Sequence, residues 1–279
     1  MTNFEQAKYS VLMSLYIKEK PKYLHQAVDS ILAQTVSPDE IVIVQDGPLT
    51  EELYTVVEEY VHAAPELFHI VKSEKNVGLG LALNLGLKEC RNELVARMDT
   101  DDIAKPQRCE KQLAVFREDQ ELAIVGTYVD EFHSTPDQVV STRAVPQTHE
   151  EIYQFAKKRS AFNHPAVMYR KSKVLEFGGY SDLRRNQDVD LFGRMLFGGC
   201  KARNIGEALL WFRSNDDLAK RRKSWENSKS YIDTIKRFWK MGYASFTDYM
   251  IVATAQTVLF LMPVKLQHWV YKTFLRNKV

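Results

Sequence analysis

Through the first 120 residues, short apolar runs alternate with longer stretches whose apolar residues recur every three or four positions. Tyr9–Tyr16 (YSVLMSLY) is β-branched and apolar with small residues near its end, which predicts a buried strand. Tyr23–Thr35 carries Leu24, Ala27, Val28, Ile31 and Leu32 at helical spacing. Glu40–Gln45 (EIVIVQ) predicts a second strand, closed by Asp46-Gly47-Pro48. Thr50 is placed to cap the helix that follows, with Glu51 and Glu52 at its positive end. Phe68–Lys72, Leu79–Cys90 and Glu93–Met98 then predict strand, helix and strand, and Pro106 opens a fourth helix near its first turn.

Four strand–helix alternations with short connections and no Asn-Gly hairpin signal predict an α/β fold, a parallel sheet with helices on both faces. Ligands of such sheets bind beyond the C-terminal ends of the strands. The residues at those ends are Tyr16, Asp46, Asn76 to Gly78, and Asp99 to Asp102, a polar, glycine-bearing and acidic set. Beyond residue 120 the pattern is mixed. Ala123–Gly126, Val139–Arg143 and Ala166–Tyr169 read as short strands, and Asp188–Gly198 as a helix with an apolar stripe of Leu191, Phe192, Met195 and Leu196. Ser224–Met241 is a basic amphipathic helix, and Phe246–Leu261 and Lys265–Leu275 are two more, broken at Pro263. The division this suggests is 1–220 for the α/β part and 221–279 for a basic helical extension.

Composition narrows the class further. The 279 residues are 45% hydrophobic and 27% charged, which excludes disorder and fibrous repeats. Cys90, Cys109 and Cys200 are odd in number and have no C-x-x-C spacing, so neither a disulfide framework nor a cysteine-rich zinc site is expected. The N-terminus lacks a secretory pattern. The most apolar run, Met250–Val264, is interrupted by Thr254, Gln256 and Thr257, which argues against a spanning helix but not against one lying on a membrane. The net charge of +2 conceals an asymmetry: residues 1–200 carry −7 and residues 201–279 carry +9. The basic third suggests an anionic partner.

Several clusters carry candidate chemistry, each with a plainer alternative. Asp99-Thr100-Asp101-Asp102 ends an apolar strand. Its carboxylates repel one another unless a cation or donors are present, and a D-x-D suits Mg²⁺ shared with a substrate phosphate; otherwise it is a solvated turn. Asp46 suits a base or ribose contact, or an ordinary Asp-Gly turn. Gly78 and Gly80 before a helix allow close approach of an anion, though the spacing matches neither a Walker loop nor G-x-G-x-x-G; the alternative is simple helix packing. Asp188 at a helix start is a rigidly held general base or an N-cap. Arg213 is placed to clamp a diphosphate, near the tetrabasic run Lys220–Lys223, itself the kind of run that forms a solvated face. His164 before Pro165 is a further candidate, catalytic or structural.

The order of these motifs resembles the family-2 glycosyltransferases, inverting enzymes of GT-A fold, over roughly residues 9–215. The supporting segments are YSVLMSLY (9–16), IVIVQDGP (41–48), NVGLGLALNLG (76–86), ARMDTDD (96–102), FNHPAVMYRKS (162–172) and NQDVDLFGRML (186–196). Within the family it looks like the bacterial polysaccharide-biosynthesis enzymes of the amylovoran type. The resemblance implies that Tyr16 and Asp46 contact the nucleoside with Asn76 and Gly78 beside them, and that Asp99 faces the ribose as the first member of the D-x-D pair. It makes Asp101 the ligand of Mn²⁺ or Mg²⁺ with Asp99 at its side, and Asp188 the catalytic base. His164 and Arg213 would lie near the diphosphate or acceptor. Implied partners are a nucleotide-sugar donor, such as UDP-galactose or UDP-glucose, and a polyprenyl-diphosphate-linked saccharide acceptor. The implied location is the inner membrane surface on its cytoplasmic side, or the cytoplasm; nucleic acid is not expected, because the acidic first 200 residues repel it.

Three positions depart from the family pattern. Gln45-Asp46-Gly47-Pro48 replaces Asp-Asp-Gly-Ser, Leu83 replaces an arginine that contacts the nucleotide, and Gln187 replaces a glutamate beside the base. Loss of that glutamate removes a like charge and eases ionisation of Asp188, while Asp190 points elsewhere on the helix. Two rival classes are a sugar nucleotidyltransferase and a non-catalytic nucleotide-sugar-binding protein at a membrane. Tyr16–Pro21 lacks the glycine-rich loop of the first, and Asp188 argues against the second.

Overall fold

The computed structural model describes residues 8–214 and 224–262. The predicted helix at Lys265–Leu275 and the tetrabasic run Lys220–Lys223 lie outside the described residues. The expected alternation is present as β1 (Tyr9–Leu15), α1 (Pro21–Leu32), β2 (Glu40–Asp46), α2 (Glu51–Ala63), β3 (Phe68–Ser73), α3 (Leu79–Glu89) and β4 (Leu94–Asp99). These strands pair in parallel in the order β3-β2-β1-β4. Alternate residues of β1 and β2 feed two cores. Val11, Met13, Ile41 and Ile43 face one, with Leu24, Ile31 and Leu53 of α1 and α2. Leu12, Val42 and Val44 face the other, with Leu83 and Leu87 of α3. A sheet covered on both faces explains why its strands read as unbroken apolar runs.

The second half extends the same sheet. β5 (Ile103–Ala104), α4 (Arg108–Glu118), β6 (Leu122–Phe132), β7 (Val139–Arg143) and α5 (His149–Ala156) come first; a 3₁₀ turn (His164–Ala166), β8 (Met168–Arg170) and α6 (Lys171–Glu176) follow. α7 (Gln187–Phe197) and β9 (Lys201–Arg213) complete it. The order past β4 is β8-β6-β9-β5, with β7 on β6, so nine strands form one sheet among the described residues. β6 runs six residues past its predicted end, and β9 is 13 residues long. These two run parallel along their length with three register shifts. Such shifts break the period-2 pattern that makes a strand readable.

Two helices follow, α8 (Trp225–Lys240) and α9 (Phe246–Leu261), each capped by a serine, Ser224 and Ser245. α8 seats on α7. Phe238 packs over Gly193, where a Cβ would lie 2.0 Å from the Phe238 ring. Arg237 pairs with Asp190 at 2.9 Å. Val252 is the one fully buried residue of α9. None of the described helices is long and apolar enough to cross a membrane.

The Gly193–Phe238 contact leaves no room for a side chain. Gly193→Val is expected to cost about 1–3 kcal/mol of stability through overpacking. Urea unfolding checks this, and a wild-type midpoint would mean that α8 does not depend on this contact.

Candidate active site

The acidic turn is held from both sides. β4 delivers Asp99, and β5 pairs with Leu210 and Trp211 of β9, fixing the chain just after Asp102. Oxygens of Asp99, Asp101 and Asp102 all lie within 4.8 Å of one another. Beneath them sits Arg97, 1% exposed. Its Nη1 donates to Asp99 Oδ2 at 2.9 Å and its Nη2 to Asp99 Oδ1, a bidentate pair. Thr100 donates to Glu19 at 2.9 Å, which brings a fifth acidic residue of the neighbourhood to the rim, after Asp188.

Charge in this cluster is finely divided. Burial, then the charges of Asp99 and Glu19, push Asp101 up to about 7. Burial, then Asp101 and Asp99, hold Asp102 well above the ordinary carboxylate range. Asp102 Oδ1 accepts from the Arg213 backbone N–H at 2.8 Å, and its buried Oδ2 has no hydrogen-bond partner. Three clustered carboxylates, one with an unpartnered buried oxygen, fit a hard divalent cation that takes oxygen ligands. The sequence had named Asp99 and Asp101 for that task; the geometry adds Asp102.

Arg213 is placed differently from its expected diphosphate clamp. It is 4% exposed, its Nε donates to the Asp101 carbonyl at 2.8 Å, and its Nη2 donates to Gln26 at 2.8 Å. Its guanidinium lies 3.8 Å from the Tyr23 ring centroid and 4.6 Å from that of Phe132. The bond to Asp101 braces the acidic turn, and Gln26 with the two rings holds the guanidinium in place. His164 is likewise enclosed: Nε2 lies 2.9 Å from the Tyr180 hydroxyl, and burial, then Arg97, pushes its pKa well below the usual value. Burial thus favours the neutral ring, which packs against Tyr180 and Phe192.

On the β1–β2 side, Tyr16 is half-buried just past β1, and its carbonyl accepts from Glu19 N at 3.0 Å. Asp46 is 3% exposed. Its Oδ1 accepts from Val77 N at 2.6 Å, and its Oδ2 from Gly78 N at 3.0 Å and Asn76 Nδ2 at 2.9 Å. Its carboxylate therefore shapes the 76–78 loop, a role that the reading of it as a nucleoside contact did not include. Gly78 has φ +90°, and a Cβ there would meet Arg184 Nη1 at 2.9 Å. Arg184 donates to Asn76 Oδ1 at 3.2 Å. Leu83 is fully buried, so the guanidinium at this loop comes from a residue about 100 positions later in the chain.

Asp188 stands in the first turn of α7. The cap is Asn186 in the left-handed region at φ 58°, so Asp188 is not the N-cap. Burial raises its pKa first of all; backbone N–H groups and Arg97 oppose the rise, and Asp99 adds to it. Arg97 and Asp99 thus reach both the acidic turn and Asp188. Asp190 is taken by Arg194 at 3.0 Å and Arg237 at 2.9 Å, turned away as its spacing implied. Asn84 fixes the intervening segment, with Nδ2 donating to Tyr180 O at 2.7 Å and Oδ1 accepting from Tyr180 N at 2.8 Å.

Comparisons with known proteins identify the family. Residues 10–183 match the family described as "Glycosyl transferase family 2". The chain belongs to glycosyltransferase family 2. Among family-2 relatives, it is 35% identical over 273 residues to the UDP-Gal:alpha-D-GlcNAc-diphosphoundecaprenol beta-1,3-galactosyltransferase of Escherichia coli, covering 97% of each chain. It is 36% identical to the amylovoran biosynthesis glycosyltransferase AmsE of Erwinia amylovora, covering 95% of this chain and 98% of that one. Solved structures of GT-A fold match as well. Mannosyltransferase PcManGT from Pyrobaculum calidifontis, in complex with GDP-Man and Mn²⁺, superposes with a TM-score of 0.66 at 13% identity, over 97% of this chain and 76% of that one. S. aureus TarS 1-349 with UDP-GlcNAc gives 0.64 at 17% identity, over 91% and 71%. The family-2 assignment carries the glycosyltransferase activity, and the expected GT-A-like α/β fold is the one observed.

Sequence reasoning missed Arg97, Glu19 and Arg184. Arg97 lay in the quoted ARMDTDD segment, and its i, i+2 spacing to Asp99 on one strand face was the available signal. Arg184 had none, because its distance to the loop is set only by the fold.

The raised pKa of Asp101 makes a stability prediction. A carboxyl raised on folding contributes stability that is complete below its unfolded value and is lost as pH rises through the folded value. Ion-free protein is expected to lose thermal stability as pH rises from about 4 to about 7, with Asp101→Asn flattening that slope. Equal slopes in the two proteins, measured in chelator, would refute the buried-acid reading.

Proposed function

We propose that this family-2 glycosyltransferase transfers a hexose, galactose or glucose, from its uridine diphosphate donor to a hydroxyl of a polyprenyl-diphosphate-linked saccharide during bacterial polysaccharide assembly. The near-full-length similarity to the E. coli lipid-linked galactosyltransferase supports the acceptor class and the donor. The observation that carries the chemistry is the shared electrostatic neighbourhood of Asp188 and the acidic turn, linked through Arg97 and Asp99.

In this reading, Tyr16, Asp46, Asn76 and Gly78 border the nucleoside, and Arg184 supplies the cation that Leu83 does not. Asp101 and Asp102, with Asp99 alongside, are the residues that hold a divalent cation, Mn²⁺ or Mg²⁺. When bound, such an ion balances negative charge on the departing diphosphate. Asp188 accepts the proton of the acceptor hydroxyl as its oxygen bonds to the anomeric carbon. The bond from that carbon to the donor diphosphate breaks, its electron pair leaves with the diphosphate, and configuration inverts. A raised pKa brings Asp188 closer to neutrality, where a general base is more effective, while the carboxylate remains the acceptor of the proton. The enzyme works at the cytoplasmic face of the inner membrane.

The test is a panel of uridine, guanosine and thymidine diphosphate sugars with synthetic lipid-diphosphate acceptors, with and without chelator. Chelator-sensitive release from one uridine diphosphate sugar is expected. Asp188→Asn is expected to lower turnover by about 10²-fold or more with donor binding retained. Asp101→Ala is expected to remove metal-dependent donor binding. Near-normal turnover in Asp188→Asn would sink its assignment as the base.

A further inference from the structure

α9 has the wrong outer surface for a helix that ends at water. Along its 16 residues the one charged side chain is Asp248, and that group turns back to Ser245 at 2.8 Å and to Lys158 at 3.3 Å. The outward positions Met250, Ile251, Val258 and Leu261 are 45%, 52%, 50% and 73% exposed. Thr254 and Ala255, between them, are exposed as well. An outward helix face of a globular protein is ordinarily charged. This one is apolar or uncharged from end to end, over about 24 Å at the usual rise per residue.

Its neighbour is α8, in an aromatic seam. Trp239 stacks on Tyr249 with centroids 5.6 Å apart, and Trp225 meets Phe260 at 5.2 Å. The two helices therefore run antiparallel. α8 carries exposed Lys229, Lys236 and Lys240 at i, i+7 and i+11, one stripe of the helix, with Asp233 set between them. The sequence beyond Leu261 adds Lys265, Lys272, Arg276 and Lys278 and no acidic residue. An apolar, uncharged face bordered by cations matches an anionic lipid surface. A second copy would set two cationic stripes against each other.

The hairpin is also joined to the base. Ser230 of α8 donates to Arg185 O at 2.9 Å, and Asn186 donates to Asn227 O at 3.3 Å, both just ahead of Asp188. Burial, and next the charge of Asp188, raise the Tyr231 phenol, so this residue of α8 lies within electrostatic reach of the carboxylate.

We infer that the outer face of α9, flanked by the α8 lysines, docks on anionic phospholipid and so sets Asp188 at the height of a membrane-held acceptor. The acceptor part of this inference rests on the function proposed above; the docking itself does not. The helix lies in the interface with its apolar face among the acyl boundary, and lysines near the surface contribute about 1 kcal/mol each.

The experiment is co-sedimentation of the full chain with vesicles of phosphatidylglycerol and phosphatidylethanolamine, and with phosphatidylcholine vesicles as control. Wild type is expected to bind the anionic vesicles and to be released by salt. Ile251→Glu combined with Val258→Glu is expected to reduce partition more than about tenfold, and Lys236→Gln or Lys240→Gln about fivefold each. Transfer to a water-soluble short-chain acceptor is expected to be unchanged in all of them. Absence of wild-type binding, or undiminished binding by the double variant, overturns the proposal. So does a wild-type dimer that the double variant makes monomeric without any vesicle binding, which would assign the face to a second copy. Because vesicle binding is read without donor or acceptor, its failure sinks the docking surface and leaves glycosyl transfer standing, and the reverse also holds.

Discussion

Four aspartates and a glutamate gather at one end of the sheet, and without compensation like charges this close and this enclosed would not stay together. Arg97 is the compensation. It lies on β4 two residues before Asp99, so both side chains leave the same face of the strand, and its two terminal nitrogens meet the two oxygens of one carboxylate. Burial works against its charge, and the pairing with Asp99 outweighs that, so the guanidinium stays ionised. The strand beneath is fixed in turn: Arg97 N donates to Val167 O at 2.9 Å, and Arg108, itself fully buried, donates to the Arg97 carbonyl at 2.6 Å. Breaking a buried pair of this kind is costly because it strands a charge away from water. Arg97 also lowers the pKa of Asp101, Asp102 and Asp188, partly offsetting the larger rise that burial causes in each.

The parallel half of the fold was legible because both of its faces are buried. β2 has every residue enclosed, so its apolar run EIVIVQ could be read as a strand without any alternation. β9 was not legible for the opposite reason. Glu207 and Lys201 leave the sheet for water, and register shifts against β6 interrupt the period. The helix at Phe246–Leu261 was placed to the residue, and its start carries a reciprocal cap from Ser245 and Asp248, three residues apart.

The site was legible as an order of motifs, and less so as a set of roles. Asp46 and Arg213 were singled out as residues that touch ligand, yet both are engaged with the chain itself: one folds the 76–78 loop and the other braces the Asp101 carbonyl. A sequence shows that a charged residue ends a strand; it does not show whether the next contact is a substrate or a backbone amide, since both satisfy the same hydrogen-bonding demand. His164 follows the same logic, because its partner Tyr180 lies 16 residues away and is brought there by the Asn84 amide.

That amide also helps explain how the Asp188 carboxylate on α7 is positioned relative to the acidic turn on β4. Asn84 holds the Tyr180 backbone from α3, Arg184 reaches the Asn76 side chain, and Ser230 with Asn227 holds residues 185 and 186 from α8. The segment before Asp188 is thus tied to α3 and the 76–78 loop at one end and to the helical hairpin at the other. The left-handed Asn186 is the bend that both restraints require, and backbone strain of that kind persists only where surrounding contacts over-determine it. A carboxylate fixed from two directions has little freedom to follow a mobile acceptor. For the transfer proposed above, the acceptor must therefore arrive in register, a task for the surface inferred to hold the hairpin rather than for Asp188 itself.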